Sequence, residues 1–496
     1  MLFNSLDYAI FFPVVVFLYF IFPKKVRIYW LLAASYYFYM SWNRKYGLLL
    51  LFTTAVTYFD GIILNRLEQQ ENNESKQKEK IVVFSSVVVN IALLIYFKYT
   101  NFIIESVNAL LSRAGHSVSF RTFDIILPVG ISFFIFQSIG YVIDVYRKDV
   151  EAEKNFFRYA LFLSFFPQLV AGPIERSGNL LRQLKTPCDF DADNAKDGLL
   201  TIAYGFFMKI VVADNISAVI DPIFETYTEQ SGMALFFAVL LFAFQIYCDF
   251  NGYTQIAIGS ARVLGIKLNK NFDTPYMGCS IKDFWRRWHI SLTSWFRDYL
   301  YIPLGGSRKG KLRKQINTLI VFFCSGLWHG ASWNYVLWGL WNGLFSVLED
   351  ILSPFYEKTV KILKLDKEKF MYKICQRIFT FLLVDFTWLF FRVNSVRDSF
   401  SILSKIAKDF RLEWLLNFEF FRLFEDTRQM VVLIVSLIIV FALDKLIYKK
   451  TAVKEAVFSQ QFVFRWLIYI LIGIILLYWG VYGTGYEQTQ FIYFQF

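Results

Sequence analysis

Long apolar runs recur along the chain and limit what it can fold into. Clear examples are Ile81–Tyr96, Met233–Tyr247, Met430–Leu443 and Phe462–Gly480. With flanking residues, each approaches the roughly 20 residues that a helix needs to cross about 30 Å of hydrocarbon. Lipid offers the backbone no hydrogen-bond partner, so the spans must be helical. We therefore predict an all-α integral membrane protein, a polytopic bundle of roughly eleven spans.

The composition agrees with a membrane location and argues against other classes. The chain is 56% hydrophobic and carries a net charge of +12. Its basic residues fall in short loops between apolar runs, where membrane topology already accounts for them. No nucleic-acid partner is therefore expected. The five cysteines form no CxxC pair and their number is odd, so neither a disulfide framework nor a zinc site is indicated.

The loops predict which segments face the cytoplasm. Asn65–Lys80 is polar and charged, Gly305–Lys314 is basic, and both are expected on the inside. If every apolar run crossed fully, Gly305–Lys314 would lie outside. One segment is therefore predicted to be re-entrant, and the best candidate is Phe156–Pro173, which Pro167 interrupts.

No internal repeat or soluble linker divides the chain, so we predict a single domain over residues 1–496. The motifs described below fall within a core of about residues 128–350. Residues 1–127 and 351–496 are expected to form flanking helices.

Two of the three histidines occur in aromatic, membrane-like surroundings. His289 follows Trp285-Arg-Arg-Trp, and His329 lies within Gly326-Leu-Trp-His-Gly-Ala331. Histidine exchanges protons readily near neutral pH, and an ionisable group in lipid is costly. Both are candidate functional residues, and His329 is predicted to carry the chemistry. The structural alternative is a histidine that is only hydrogen-bonded between helices.

The segment Ile281–Leu304 is too charged to span and is predicted to form one amphipathic helix at the interface. At helical spacing, its polar stripe consists of Lys282, Arg286, His289, Thr293 and Arg297. Arg286, Arg287 and Arg297 are candidates to bind the phosphate of an anionic donor. The alternative is a structural helix beneath the headgroups.

Asp249 and Asn251 lie at the predicted end of an apolar run. The simpler interpretation is a helix terminus, with Asn251-Gly252 as the stop signal. The functional interpretation is that they orient a histidine or a substrate hydroxyl. No third or fourth ligand accompanies the histidines at a recognisable spacing, so no metal is expected.

These stretches together resemble the membrane-bound O-acyltransferases, specifically the bacterial branch concerned with alginate O-acetylation. The resemblance runs nearly from end to end. The matching blocks are Met1–Leu6, Phe165–Arg176, Tyr247–Tyr253, Asn271–Tyr276, Asp283–Thr293, Trp295–Gly305, Gly326–Ala331 and Phe491–Phe496.

The resemblance implies an acyltransferase with a horseshoe of helices around a central tunnel. It implies that His329 is catalytic and that His289 is the second functional histidine. We expect the substrates to contact Trp328 together with the three arginines, Asp249 and Asn251. No tightly bound cofactor is expected. The acyl donor is expected to be acetyl-coenzyme A or an acyl-carrier protein thioester.

The expected function is transfer of an acyl group, most simply acetyl, from a cytoplasmic thioester to an extracytoplasmic polysaccharide. The partners would be the donor inside, the polysaccharide or an extracytoplasmic acetyltransferase outside, and membrane lipid. The expected location is the bacterial cytoplasmic membrane. Two alternatives are D-alanyl transfer to teichoic acid and a non-catalytic module for polysaccharide export or assembly.

Overall fold

The chain is helical, as predicted. A computed structural model describes residues 1–70, 72–170, 172–411, 413–482 and 491–492, and within them no β-strand occurs. Seven helices in this part of the chain are long and apolar enough to cross a membrane. They are Arg44–Glu68, Asn73–Arg113, Ala192–Glu225, Gly232–Val263, Phe370–Arg392, Thr427–Tyr448 and Phe462–Trp479. The all-α prediction is confirmed.

Other helices are shorter or more polar. Leu6–Ile21 and Ile131–Tyr146 are apolar but have fewer than 18 residues. The remaining helices of at least nine residues are Lys24–Met40, Phe156–Ser164, Lys311–His329, Trp333–Ile362 and Val396–Lys408. The total of roughly eleven spans stays a prediction.

The chain divides into two compact units. The first consists of Met1–Ile202 and Thr254–Asn269, and the second of Ala203–Tyr253 and Lys270–Phe496. Every candidate site residue belongs to the second unit. The single-domain organisation and its core of residues 128–350 stay a prediction.

In the first unit, the segment predicted to be re-entrant is broken into short helices. Phe156–Ser164 ends at Phe165, whose ψ of 108° is not helical, and Phe166–Leu169 follows with Pro167 in its first turn. Nine residues extend only about 13 Å at 1.5 Å per residue, well short of a bilayer. From Tyr159 onward both short helices are buried in protein, whereas Phe157 in the first turn is exposed. Irregular backbone at membrane depth requires such burial.

In the second unit, Gly232–Val263 continues past the predicted stop signal at Asn251-Gly252, so that interpretation is wrong. A Cβ atom on Gly252 would lie 2.8 Å from the carbonyl oxygen of Gly205 and 3.0 Å from the amide nitrogen of Lys209. Glycine at this position lets two helices approach closely, which is a common reason for small residues in membrane helices.

Lys311–His329 and Trp333–Ile362 form a tightly packed hairpin. A methyl group on Gly326 would overlap the carbonyl oxygen of Tyr335, and one on Gly339 would overlap that of Phe322. Ser332 caps the second helix by accepting a hydrogen bond from the Asn334 amide. The close approach fixes where the first helix ends, at His329.

We predict that Gly326→Ala destabilises the protein by about 1–3 kcal/mol, because the overlap is with backbone that cannot move independently. The control is Gly473→Ala, also within a helix, where an added Cβ meets nothing within 4 Å. That control should be neutral or stabilising by about 0.4–1 kcal/mol. Thermal unfolding in detergent measures both. Equal midpoints for the two variants would contradict the packing argument.

Candidate active site

His329 is the last residue of the helix Lys311–His329, and its ring lies in an aromatic cage. The ring centroid is 4.8 Å from Trp338, 5.0 Å from Trp328 and 5.4 Å from Phe391. The side chain is only 3% exposed. The helix stops here because Gly330 adopts an extended conformation, and a Cβ at Gly330 would overlap a ring.

The predicted single helix over Ile281–Leu304 is wrong. Two seven-residue helices, Ile281–Arg287 and Ile290–Phe296, are separated by a break at His289. His289 has φ 43° and ψ 53°, the left-handed conformation, which is rare outside glycine. The break removes His289 from the predicted polar stripe and turns its ring into the protein, where the residue is 1% exposed.

Asn271 stabilises this unusual backbone. Its carbonyl oxygen accepts the Ile290 amide at 2.9 Å. Its side-chain Oδ1 accepts the amide of Ser291 at 3.3 Å and the Ser291 hydroxyl at 2.8 Å. A strained residue persists only where its surroundings determine the conformation in this way.

The same side chain determines the tautomer of His289. The His289 Nδ1 lies 3.0 Å from Asn271 Oδ1, and that oxygen is an acceptor because the Ser291 amide donates to it. Nδ1 must therefore carry the proton, which leaves Nε2 as the nitrogen with the lone pair. Burial lowers the pKa of His289 from 6.5 to about 3, so the imidazole is neutral at pH 7.

The two histidines meet although 40 residues separate them in sequence. Their ring centroids are 6.2 Å apart, with the planes inclined at 57°. The indole of Trp328 contacts both rings, 5.7 Å from His289 and 5.0 Å from His329. His289 also packs against Phe250, with ring centroids 4.8 Å apart and the planes inclined at 85°. Two imidazoles thus share one buried, aromatic environment.

The predicted anion-binding arginines differ in what they contact. Arg287 donates to Asp283 at 3.0 Å and lies over the ring of Tyr448, so its charge is already balanced by protein. Arg297 is exposed and pairs with Asp298. Arg286 is exposed. Their role in binding substrate stays a prediction.

Asp249 and Asn251 are buried, and protein groups already contact them. Asp249 pairs with Lys209 at 2.5 Å, and Asn251 donates to the sulfur of Met208 at 3.3 Å. A role for either residue in binding substrate stays a prediction. Among the described residues, no group of three or more His, Cys, Asp or Glu is arranged to hold a metal ion.

Sequence reasoning missed two residues that shape this region, Asn271 and Lys209. Lys209 carried a usable signal, because a single lysine within an apolar run is costly and suggests a specific partner. Asn271 begins the matching block Asn271–Tyr276, but its residue type did not single it out, since an asparagine in a loop next to other polar residues is unremarkable by composition.

A family model described as the membrane-bound O-acyltransferase family matches residues 152–392. A probable alginate O-acetylase of Pseudomonas putida is 36% identical over 387 residues, 78% of this chain and 76% of the relative. The chain belongs to the membrane-bound O-acyltransferase family. The predicted resemblance, the acyltransferase activity and the multi-pass membrane character are confirmed.

Two further relatives are informative. A peptidoglycan O-acetyltransferase of Helicobacter pylori is 34% identical over 409 residues, 77% of this chain and 73% of the relative. A teichoic acid D-alanyltransferase of Streptococcus thermophilus is 29% identical over 241 residues, 45% of this chain and 56% of the relative. The match to the acetylating relatives is therefore longer and closer.

We predict that Asn271→Asp makes activity sensitive to mild acid. A carboxylate beside Nδ1 favours the imidazolium, so the pKa of His289 rises from about 3 towards neutrality. The variant should lose activity at a higher pH than wild type as the pH falls, which a pH–rate profile measures. Ser291→Ala is the control, because it leaves the bond between Asn271 and His289 intact. Superimposable profiles for Asn271→Asp and wild type would refute the prediction.

Proposed function

We propose that the protein transfers an acetyl group from a cytoplasmic thioester to a hydroxyl of an extracytoplasmic polysaccharide. The observation that carries the proposal is the pairing of His289 and His329, with ring centroids 6.2 Å apart in a buried aromatic environment. Acyl transfer needs a group that moves a proton from an alcohol, and water must be kept away from the activated ester.

Histidine side chains can supply all the proton transfers that this reaction needs. The hydroxyl oxygen attacks the thioester carbonyl, and a histidine nitrogen accepts the hydroxyl proton. The carbon–sulfur bond then breaks, the proton passes to the leaving thiolate, and the products are an ester and a free thiol. A variant of this route passes the acyl group briefly through the histidine nitrogen before the alcohol attacks.

The surroundings of the two rings favour different roles. The Nδ1 of His289 is engaged with Asn271 Oδ1 at 3.0 Å, which fixes the orientation of its ring. Its Nε2 lone pair suits it to accept a hydrogen bond and orient a reacting group. We therefore assign proton abstraction to His329, and we assign orientation of the donor or sharing of the proton to His289. Trp328, which contacts both rings, would form a wall of the substrate site.

The donor would dock at the basic loop that precedes the helix Lys311–His329. Arg308, Lys309, Lys311 and Arg313 are exposed there, as is Arg286. Acetyl-coenzyme A carries phosphates, and acyl-carrier proteins bear a phosphopantetheine arm, so either donor offers anions to this surface. The predicted cytoplasmic location of the loop agrees with a cytoplasmic donor.

Two relatives support an acetyl group and a polysaccharide acceptor, because one is named as a probable alginate O-acetylase and the other as a peptidoglycan O-acetyltransferase. We propose the bacterial cytoplasmic membrane as the location, a passage between the helices for the acyl group, and an acceptor that is either the polymer or a partner acetyltransferase. D-alanyl transfer is a second candidate that the shorter teichoic acid relative supports.

We predict that His329→Gln abolishes O-acetylation of the exported polymer while the protein still inserts. Removing a general base lowers a rate by about 10²–10⁴-fold. His116→Gln is the matched control, because His116 is exposed. Ester content of isolated polysaccharide, measured with alkaline hydroxylamine, reports the result. Near-normal ester in the His329 variant would defeat the assignment, and D-alanyl in place of acetyl esters would favour the second candidate.

We predict that replacing Arg308, Lys309 and Lys311 together by glutamine raises KM for acetyl-coenzyme A by about tenfold, with kcat unchanged. The effect should shrink as salt is added, because exposed charges are screened. The control replaces Arg44 and Lys45, which are exposed in the first turn of the helix Arg44–Glu68. Initial rates of thiol release measure both. An unchanged KM in the triple variant would contradict donor docking at this loop.

A further inference from the structure

A buried group of charges lies in the second unit, outside the histidine pair. The Lys209 ammonium is 2.5 Å from Asp249 Oδ1 and 2.8 Å from Asp214 Oδ1. All three side chains are at most 4% exposed. Burying charge is expensive unless the partners are well placed, so such a group indicates a specific structural demand.

The helices are shaped to bring Lys209 to Asp249. Phe207–Ala213 forms a π-helical turn, a widened geometry that is rare and frequent near functional sites. Gly252, one turn beyond Asp249 on the facing helix, lets the backbone of Lys209 approach closely. A side chain at position 252 would separate the two helices.

Asp249 also reaches a segment distant in sequence. Its second oxygen, Oδ2, accepts the backbone amide of Ile492 at 2.9 Å. The neighbouring Phe491 is fully buried, and its ring centroid is 4.4 Å from Tyr253. Asp249 therefore contacts the Lys209 ammonium with one oxygen and a backbone amide distant in sequence with the other.

A short series of ring contacts connects this anchor to the candidate active site. Phe491 lies 5.6 Å from Phe250, and Phe250 lies 4.8 Å from the imidazole of His289, edge to face at 85°. Phe250 directly follows Asp249 in the chain. The ring that supports His289 is therefore held from one side by its own helix and from another by Phe491.

We infer that Phe491 and Ile492, anchored by the Lys209–Asp249 ion pair, are positioning residues for His289. Asp249 holds the Ile492 backbone, Phe491 supports Phe250, and Phe250 sets the position of the imidazole. The inference rests on the proposed function in assigning His289 to the reaction. Asp249 then acts through protein contacts instead of binding substrate.

The decisive variant is Ile492→Pro, which deletes the amide that Asp249 binds and keeps an apolar side chain. Ile492→Val is the matched control, since it keeps the amide. Phe491→Leu is a second variant that removes the ring contact with Phe250 and keeps an apolar group, in case proline prevents folding. Each is made in the full chain, with thermal unfolding in detergent as the test of folding.

Histidine-selective ¹⁵N spectra in lipid bilayers provide a readout that does not depend on activity. The chain has three histidines, so His289→Gln identifies the His289 signals and His116 serves as an internal reference. Ile492→Pro and Phe491→Leu should shift the ring-nitrogen signals of His289 and leave those of His116 unchanged. Ile492→Val should shift neither.

Kinetics with acetyl-coenzyme A supply the second readout. Ile492→Pro should lower kcat for thiol release by about 10²-fold, the effect of a small misplacement, with KM unchanged. His289 signals at their wild-type positions in folded Ile492→Pro and Phe491→Leu would overturn the inference. If wild type releases no thiol, the proposed donor is wrong, while the spectra still decide the role of the anchor.

Discussion

The hydrogen bonds of one buried asparagine determine the backbone and the ring orientation at His289. Asn271 accepts bonds from His289, Ile290 and Ser291, and these bonds keep His289 in a left-handed conformation that costs about 1–2 kcal/mol. Without that turn, the helix would continue and the imidazole would point elsewhere on its surface. The meeting of His289 with His329 therefore depends on this local break.

Two kinds of packing determine the positions of the two histidines. Glycines at Gly326 and Gly339 let a helical hairpin close tightly, which fixes His329 at a helix end. Trp328 and Phe250 then pack against His289. The large aromatic rings and the close helix contacts at the glycines together give a site whose shape is set by rigid elements. Catalytic groups held on such parts lose little freedom when substrate binds.

The sequence predicted the helices and the interruption near Pro167 well, but it did not predict the break at His289. Apolar runs of about twenty residues are a strong signal, because lipid leaves the backbone no other solution. The break at His289 left no trace, since the spacing of Lys282, Arg286 and His289 agrees with a continuous helix. Tertiary hydrogen bonds hold His289 in the left-handed backbone conformation, and no local sequence pattern predicts such bonds. Both histidines were nevertheless identifiable, because the sequence motifs around them are distinctive and histidine is rare in this chain.

The misinterpretation of Asn251-Gly252 has a similar origin. A glycine after a polar residue usually ends a helix in water, but here Gly252 serves close contact with another helix. Lys209 was visible in the sequence as a lone charge in an apolar run, yet its partners Asp214 and Asp249 could be paired with it only in three dimensions. The sequence shows which charged residues are unusual in their surroundings, but only the fold shows which of them form pairs.

The position of His329 at a helix end has an electrical consequence. Peptide dipoles in the helix Lys311–His329 are aligned, so the last turn carries partial negative charge equivalent to about half an electron. An imidazole that takes up a proton there becomes a cation beside that negative pole. The field of the helix would then lower the energy of the protonated imidazole without a contribution from water or from an acidic side chain.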